Sequence, residues 1–263
     1  MVAGPTDGAQ QGYRIQALSK GLQVLGLFDE AHLTLRLTDI CRRTGIPMPT
    51  VYRIVATLEA DGFLRRRPDG SVEPTLSVLT LGSAALRGSD IVQVATSPLE
   101  HLADKTRETV NLGRLTGGQV LYLLRIRNDD LVTANIQVGS SLPAILTSMG
   151  KAMLATLSDG DLDELIDPAD FARPHGPNAV ADVDELRRQL NEIRERGYAV
   201  QDEELASGIR SVSVALKAST LAAPTAINLA VAASRRSLED LVGPLLDATK
   251  ATAADIDFRL ERL

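Results

Sequence analysis

Ser148 and Lys151 are the first residues whose types and spacing could do chemistry, because positions three apart share one face of a helix. In this Ser-x-x-Lys pattern the lysine can activate the serine hydroxyl as a nucleophile. The chain lacks the companion Ser-Asp-Asn and Lys-Thr-Gly elements, and also Gly-x-Ser-x-Gly, a P-loop and a dinucleotide fingerprint. A serine-dependent hydrolase or acyltransferase using Ser148 and Lys151 is therefore the alternative, and the sequence favours a protein that is not an enzyme.

The same segment could instead bind an anion. Ser148, Met149 and Gly150 begin a predicted helix directly after the extended stretch 142–147. Free backbone N–H groups and the helix dipole attract a carboxylate to such an end, and Gly150 would allow it to approach closely. The competing interpretation is that Ser148 is an N-cap with nothing bound to it.

A run of arginines forms a second candidate site. Arg65, Arg66 and Arg67 enter the turn Pro68-Asp69-Gly70-Ser71, and Asp-Gly is a strong β-hairpin signal. Guanidinium groups on such a hairpin could hold DNA phosphates, as the wing of a winged helix does. The alternative is an ordinary three-helix domain whose arginine run is merely solvated.

Three predicted helices precede this hairpin. The first is expected to be capped by Ser19 and the second by Thr38, and Gly45 should end the second helix, whose outward face carries Arg42 and Arg43. A third helix, from about Thr50 to Ala60, follows a short turn and completes a helix-turn-helix. Residues near the start of its exposed face should reach base edges in the major groove. These are Thr50 and Arg53, with Met48 and Tyr52 close by.

Composition bounds the protein class. The chain has 263 residues, 44% hydrophobic and 24% charged, which is typical of a globular protein. Residues 1–75 carry nine Lys/Arg against eight Asp/Glu, and the remainder nineteen against twenty-six, so the two parts have net charges of +1 and −7. One cysteine and three scattered histidines predict no metal site, and no cofactor is expected. With no long apolar run and no signal-like N-terminus, the chain is expected to be cytoplasmic and not bound to a membrane.

Several long motifs resemble the IclR family of bacterial transcriptional regulators. The segments SKGLQVLGLF and LTDICRRTGIPMPTVYRIVATLEADGFL resemble the winged head of that family. LPAILTSMGKAMLATL, GYAVQDEELASGIRSVSV and AINLAVAASRRS resemble its effector-binding domain, in the family's order. The resemblance runs from about Tyr13 to the C-terminus. It implies a winged helix-turn-helix followed by an α+β, GAF-like domain with a mainly antiparallel sheet.

The expected organisation has four parts. Residues 1–12 form a flexible tail, 13–75 the DNA-binding head, 76–90 a linker helix and 91–263 the effector-binding domain. Ser97-Pro98-Leu99-Glu100 is predicted to be a capping box where a new helix begins. Strands are predicted at 109–115, 119–127, 131–138, 211–217 and 225–233, and helices at 148–157, 182–196 and from about Ser237.

The resemblance also implies an effector pocket that suits a small ligand. Carried over to this sequence, its residues are Leu131, Ala134, Leu142, Ser148, Met149, Gly150, Gln201, Ser211, Asn228 and Ala230. Asn228 and Met149 depart from the pattern of relatives that bind short keto acids. The segment around Gln201 could alternatively be a solvated acidic turn.

The resemblance also implies which molecules the head and the effector-binding domain bind. The head would bind a double-stranded DNA operator, and the pocket a small organic-acid effector. The segment NDDLVTANIQVGSSLPAILTSMGK is similar to sequences of the family branch that controls aromatic-acid catabolism, such as the protocatechuate pathway. Leucines on the linker helix, which a monomer could not easily cover, predict a homo-oligomer, either a dimer or a dimer of dimers.

Overall fold

The computed structural model describes residues 14–29, 32–127, 136–172 and 175–263. The chain divides into two units, residues 1–85 and 86–263. The first unit has one hydrophobic core and the second has two. The predicted tail, residues 1–12, lies outside the described residues.

The first unit is a three-helix domain with a β-hairpin. Its elements are α1 (Gln16–Leu25), α2 (Leu37–Thr44), α3 (Met48–Ala60), β1 (Leu64–Arg66) and β2 (Val72–Pro74). The helices bury Val24, Ile40, Val51 and Val55 together, at the apolar spacing that the sequence shows. The backbone of Leu35 bridges to Val72 and joins the hairpin to the helices. The predicted winged helix-turn-helix is confirmed.

Turn residues act as the sequence predicts. Gly45 ends α2 with a φ of 68°, a conformation that glycine adopts without strain. In the hairpin, the Asp69 carboxylate accepts hydrogen bonds from the amide and the hydroxyl of Ser71. The strands β1 and β2 then pair antiparallel, with Arg65 opposite Glu73.

The predicted starts of these helices are wrong by two to four residues. Ser19 lies inside α1, where its amide donates to the Ile15 carbonyl at 3.0 Å. Thr38 lies inside α2, and the carboxylate of Asp39 accepts the Arg36 amide instead. The third helix begins at Met48, because a proline in the first turn has no amide hydrogen to lose and its φ suits a helix.

A helix follows the hairpin at the predicted place. This helix, α4 (Ser77–Arg87), has no fully buried residue. Leu79 and Leu81 are 64% and 61% exposed. Leu86, near its C-terminal end, is half-buried and packs against a core of the second unit.

The second unit is an antiparallel six-stranded sheet with helices on both faces. The strands are β3 (Thr109–Thr116), β4 (Gln119–Ile126), β5 (Ser141–Pro143), β6 (Ala199–Asp202), β7 (Ile209–Ala215) and β8 (Thr225–Ala232). Their order in the sheet is β5-β4-β3-β8-β7-β6. The helices are α5 (Asp90–Thr106), α6 (Ser148–Leu154), α7 (Asp159–Leu165), α8 (Val183–Arg196) and α9 (Leu246–Leu260). This is the predicted α+β fold with an antiparallel sheet.

The two faces of the sheet pack against different helices. Val110, Leu112, Val212 and Leu229 point into a core shared with α5 and α9. Alternate residues point the other way, because successive side chains of a strand face opposite sides. That second face meets α6 and α8 around Met149 and Leu186.

Some predictions for this unit are wrong. Ser97 and Pro98 lie inside α5, whose N-cap position is Ser89. The helix continues through the proline, because burial of Ile91, Ala95 and Leu99 on one face offsets the lost hydrogen bond.

Other details of this unit also differ from prediction; the strand predicted over 211–217, for example, is Ile209–Ala215. Residues 136–138 are not in a strand, and the rest of the predicted strand 131–138 lies outside the described residues. The helix predicted over 148–157 ends at Leu154. The closing helical segment begins at Leu238, after Ser237, as expected, and it kinks at Gly243 before α9 begins at Leu246. Gln201 belongs to strand β6 and is buried, so it is not part of a solvated acidic turn.

Candidate functional site

The exposed face of α3 carries the residues predicted to read bases. Tyr52 is 59% and Met48 41% exposed, and Arg53 is also exposed, whereas Thr50 is half-buried toward α1. Arg53 makes no ion pair with any described residue. Its guanidinium is therefore available for a bidentate contact with a guanine edge.

The hairpin arginines are exposed but already paired. Glu73 binds two of them, with 2.5 Å from Arg65 Nε to Oε1 and 2.7 Å from Arg67 Nη1 to Oε2. Arg66 Nη2 lies 2.9 Å from Glu59 Oε2. Hydrogen bonds from Arg67 and Arg65 hold the pKa of Glu73 below its usual value. The positive charge of the wing is thus largely balanced within the head.

The two arginines on α2 are also engaged. Arg42 Nη2 lies 2.7 Å from Asp39 Oδ1. Arg43 Nη2 is 2.6 Å from Nε2 of His32. Both arginine side chains are exposed to solvent.

A narrow cavity lies in the second unit, on the sheet face that meets α6. Its volume, measured as the space open to the centre of a water molecule, is about 30 Å³. That is room for one or two waters. It is lined by Asn111, Tyr122, Arg125, Ile136, Leu146, Thr147, Gln201, Leu205, Ile209, Ser211, Asn228 and Ala230.

A chain of hydrogen bonds crosses one wall of this cavity. Arg125 Nη1 donates to Asn111 Oδ1 at 3.1 Å, and Asn111 Nδ2 donates to Asn228 Oδ1 at 2.7 Å. Both asparagines are buried, on adjacent positions of β3 and β8. Burial lowers the pKa of Arg125, which is half-buried. The network places a cationic group and two amides at the edge of an apolar space, which is how ligand pockets fix orientation.

The opposite wall presents hydroxyl and amide groups. Ser148 Oγ and Ser211 Oγ lie 2.7 Å apart. In the orientation that satisfies both atoms of its amide, Gln201 accepts through its oxygen from the backbone N–H of Glu204 at 2.8 Å and of Leu205 at 3.0 Å. Tyr122 also lines the cavity, and burial raises its pKa to about 12.

The predicted pocket residues fall into three groups. Gln201, Ser211, Asn228 and Ala230 line the cavity together, and Ser148 reaches it through Ser211. Met149 is fully buried in the core around α6, and Leu142 packs against that core. Leu131 and Ala134 lie outside the described residues.

Gly150 is close-packed against the chain itself. A β-carbon at this position would lie 2.1 Å from the carbonyl oxygen of Ala144. The amide of Gly150 donates to Thr147 Oγ1 at 2.9 Å, so Thr147 is the N-cap of α6. The space that glycine leaves is therefore filled by backbone rather than by a ligand.

The sequence analysis did not identify Arg125, the cation of the cavity, or Asn111, its hydrogen-bond partner. Arg125 lies in the mainly apolar strand QVLYLLRI, and Asn111 is buried in the strand TVNLGRLT. A polar residue on the buried face of such a strand was a usable signal. No such signal marks the apolar and aromatic lining residues, because ordinary core residues have the same types and spacing. These residues are Tyr122, Leu146, Leu205 and Ile209.

Lys151 does not serve Ser148 as a base. Its Nζ donates to both carboxylate oxygens of Glu204, at 2.5 and 2.7 Å, and to Gln189 Oε1 at 3.0 Å. Burial is the main cause that lowers the pKa of Lys151 and raises that of Glu204. The pattern Ser148-x-x-Lys151 therefore has the spacing of a nucleophile pair but not its contacts.

Two features are absent from the part of the chain that the structure describes. No His, Cys, Asp and Glu side chains gather there in a group of three that could hold a metal ion. No helix in that part of the chain is long and apolar enough to cross a bilayer.

Comparison with known proteins decides the family. A model of the IclR helix-turn-helix domain matches residues 17–68, and a model of the bacterial transcriptional regulator IclR C-terminal region matches residues 83–258. The chain belongs to the IclR family of bacterial transcriptional regulators. Members of the IclR family are regulators and not enzymes, which agrees with the contacts of Lys151.

Individual relatives cover nearly the whole chain. The Pca regulon regulatory protein of Pseudomonas putida is 30% identical over 246 residues, 93% of this chain and 84% of that protein. An IclR family regulator from Brucella abortus has 24% identity and a TM-score of 0.82, with 98% and 97% of the two chains covered. An IclR homologue from Microbacterium hydrocarbonoxydans, complexed with 4-hydroxybenzoate, has 24% identity and a TM-score of 0.72, with 94% and 100% covered. The two structures share the fold described above.

Proposed function

We propose that this regulator binds its operator as a homo-oligomer in the cytoplasm and senses a small aromatic carboxylic acid. In this proposal residues 13–75 read DNA, 76–90 link the units and 91–263 bind the effector. The observation that carries the effector class is the cavity in which Arg125, Asn111 and Asn228 form one polar wall. The name of the Pca regulon relative and the 4-hydroxybenzoate bound to a homologue support it.

The cavity chemistry fits an aromatic acid with a second polar group. A guanidinium binds a carboxylate through charge-assisted hydrogen bonds. The apolar side chains of Leu146, Leu205 and Ile209 suit a ring, and Ser211 with Gln201 could bond a ring hydroxyl. The sequence predicted the carboxylate at the helix end of Ser148 and Gly150, but there the Gly150 amide already donates to Thr147 Oγ1.

A thermal-shift series on the full chain tests the effector class. We expect 4-hydroxybenzoate to raise the unfolding temperature and the neutral 4-hydroxybenzamide not to, because only a ligand that binds the folded state stabilises it. Arg125→Met should weaken acid binding about tenfold or more, the scale of a lost charged hydrogen bond. The matched control is Arg127→Met, at an exposed arginine two residues along. Stabilisation by the amide alone, or equal losses in both variants, would contradict the proposal.

In the head, base reading is assigned to Arg53 and Thr50, with Met48 and Tyr52 beside them. Phosphate contacts are assigned to Arg42, Arg43, Arg65, Arg66 and Arg67. Arg53→Ala should reduce the preference for operator over random DNA, whereas Arg66→Ala should weaken binding to both alike. Competition binding with operator and random duplexes measures the difference. Equal losses on both duplexes for Arg53→Ala would remove it from base reading.

An apolar surface of the head supports the homo-oligomer. Leu18 and Leu22 on α1, 59% and 60% exposed, line a groove with Leu81 of α4. Contiguous exposed leucines of this kind mark protein interfaces. Leu79→Glu with Leu81→Glu should therefore lower the sedimentation coefficient to that of a monomer. A wild-type protein that sediments as a monomer at micromolar concentration would refute the oligomer.

A further inference from the structure

The buried ion pair of Lys151 and Glu204 has no part in the function proposed so far. Lys151 is 1% and Glu204 6% exposed. An ammonium has three hydrogens to donate, and here two go to Glu204 and one to Gln189. The pair is therefore fully hydrogen-bonded inside the domain, a condition that a buried pair needs to be tolerated.

The ion pair connects two walls of the effector cavity. Lys151 lies one helical turn after Thr147, and its amide donates to the Thr147 carbonyl at 2.9 Å. Thr147 lines the cavity from α6. Glu204 directly precedes Leu205, which lines the cavity from the turn between β6 and β7.

Other contacts hold this turn without joining it to α6. Glu203 has a φ of 54°, rare for a residue with a side chain, and its carboxylate accepts the Gly208 amide at 2.8 Å. The Glu204 carbonyl accepts the Gly176 amide at 2.9 Å. The turn thus keeps its own shape, and the Lys151–Glu204 pair joins it to α6.

The small size of the cavity makes the distance between Thr147 and Leu205 important for ligand binding. The space of about 30 Å³ between the described walls is smaller than an aromatic acid, so we expect the walls to move apart when one binds. Stretching a buried ion pair leaves two charges without compensation and is strongly unfavourable. Ligands that would force Thr147 and Leu205 apart are therefore disfavoured relative to those that open the cavity elsewhere.

We propose that Lys151 and Glu204 are positioning residues that fix the spacing of the Thr147 and Leu205 walls and so set the size selectivity of the effector cavity. The inference rests on the proposed effector function. It assigns to the pair a role in selecting ligands, beyond its place in the core.

A double variant tests the pair without leaving an unpaired charge. Lys151→Met with Glu204→Gln removes both charges at similar volume, and such replacements of buried pairs are often neutral for stability. We expect the ratio of affinities for 1-naphthoate and 4-hydroxybenzoate to shift by about tenfold toward the larger acid. That is the low end of the discrimination that a closed apolar pocket makes against one added group. Hydrogen exchange of amides 203–208 in the ligand-free protein should become faster.

Further variants distinguish loss of this ion pair from a general loss of charge. The reversed pair, Lys151→Glu with Glu204→Lys, should restore the wild-type affinity ratio. The surface pair of Arg187 and Asp163, neutralised as Arg187→Met with Asp163→Asn, should change neither readout. If the double variant does not fold, Gln189→Leu removes only the third acceptor of Lys151 and should shift both readouts in the same direction by less.

The outcomes separate this inference from the proposed function. An unchanged affinity ratio and unchanged exchange in a folded double variant would overturn the positioning role. If the wild type binds neither acid, the proposed effector class fails, and the exchange of 203–208 alone decides whether the pair holds the turn. Equal effects from the Arg187 and Asp163 control would also overturn it.

Discussion

Neutralising Glu73 should strengthen DNA binding, because this carboxylate occupies two wing arginines at once. Its oxygens lie 2.5 Å from Arg65 Nε and 2.7 Å from Arg67 Nη1, and all three side chains belong to the hairpin. Glu73→Gln keeps the shape of the side chain and removes its charge. Either arginine can then turn toward a phosphate without breaking an ion pair.

The size of the effect follows from counterion release. One or two additional phosphate contacts should steepen the slope of log K against log salt by about 0.9 to 1.8. For one contact, a fourfold drop in salt would then raise affinity about 3.5-fold more in the variant than in the wild type. The gain should be the same on operator and random DNA, because phosphate contacts carry no sequence information.

Fluorescence anisotropy with a labelled mixed-sequence duplex, over a range of potassium chloride concentrations, measures these slopes. Glu192→Gln is the control, because it changes the net charge equally at an exposed position of α8. A slope for Glu73→Gln equal to that of the wild type would refute the reasoning. An equal steepening in Glu192→Gln would show that overall charge, and not release of the wing arginines, is responsible.

Two predictions concern stability. Burial raises the Tyr122 pKa from 10 to about 12, so the unfolded chain loses this proton first as pH rises. The free energy of unfolding should therefore fall by about 2 kcal/mol between pH 10 and pH 12. Urea unfolding of wild type and Tyr122→Phe across this range should show the extra slope only in the wild type; parallel curves would contradict it. Gly150→Ala would place a β-carbon 2.1 Å from the Ala144 oxygen and should cost about 1–3 kcal/mol or more. The control is Gly160→Ala, where no atom lies within 4 Å of the new methyl group. This variant should be neutral or stabilising by up to about 1 kcal/mol. Equal losses of stability in the two variants would refute the packing argument.

Local signals predicted most elements of the fold. Gly45 ends a helix, and Asp69 and Gly70 form a hairpin turn. The helix predicted over 182–196 is α8, and Asp182 caps it by accepting the Glu185 amide at 2.8 Å. These features depend on residues within one turn of the chain. Ser97 and Pro98 misled the prediction because their local preference for a helix start is overridden by burial of the helix face on both sides of them.

The candidate site was less predictable, because its geometry is tertiary. Ser211 and Asn228 were expected in the pocket, but Arg125 and Asn111 meet them only through pairing of strands far apart in sequence. The contact of Lys151 with Glu204 spans 53 residues, and a serine three positions away was the more obvious partner. No periodicity in the sequence encodes such a choice.

The alternation of side chains along β3, β7 and β8 has an evolutionary consequence. Asn111, Ser211 and Asn228 face the cavity, while their neighbours Leu112, Val212 and Leu229 face the core of α5 and α9. A substitution that changes ligand chemistry on one side leaves the apolar side chains on the other untouched. A lineage with this sheet can therefore change the lining of the cavity by single, structurally tolerated steps, while the helix-turn-helix head stays as it is.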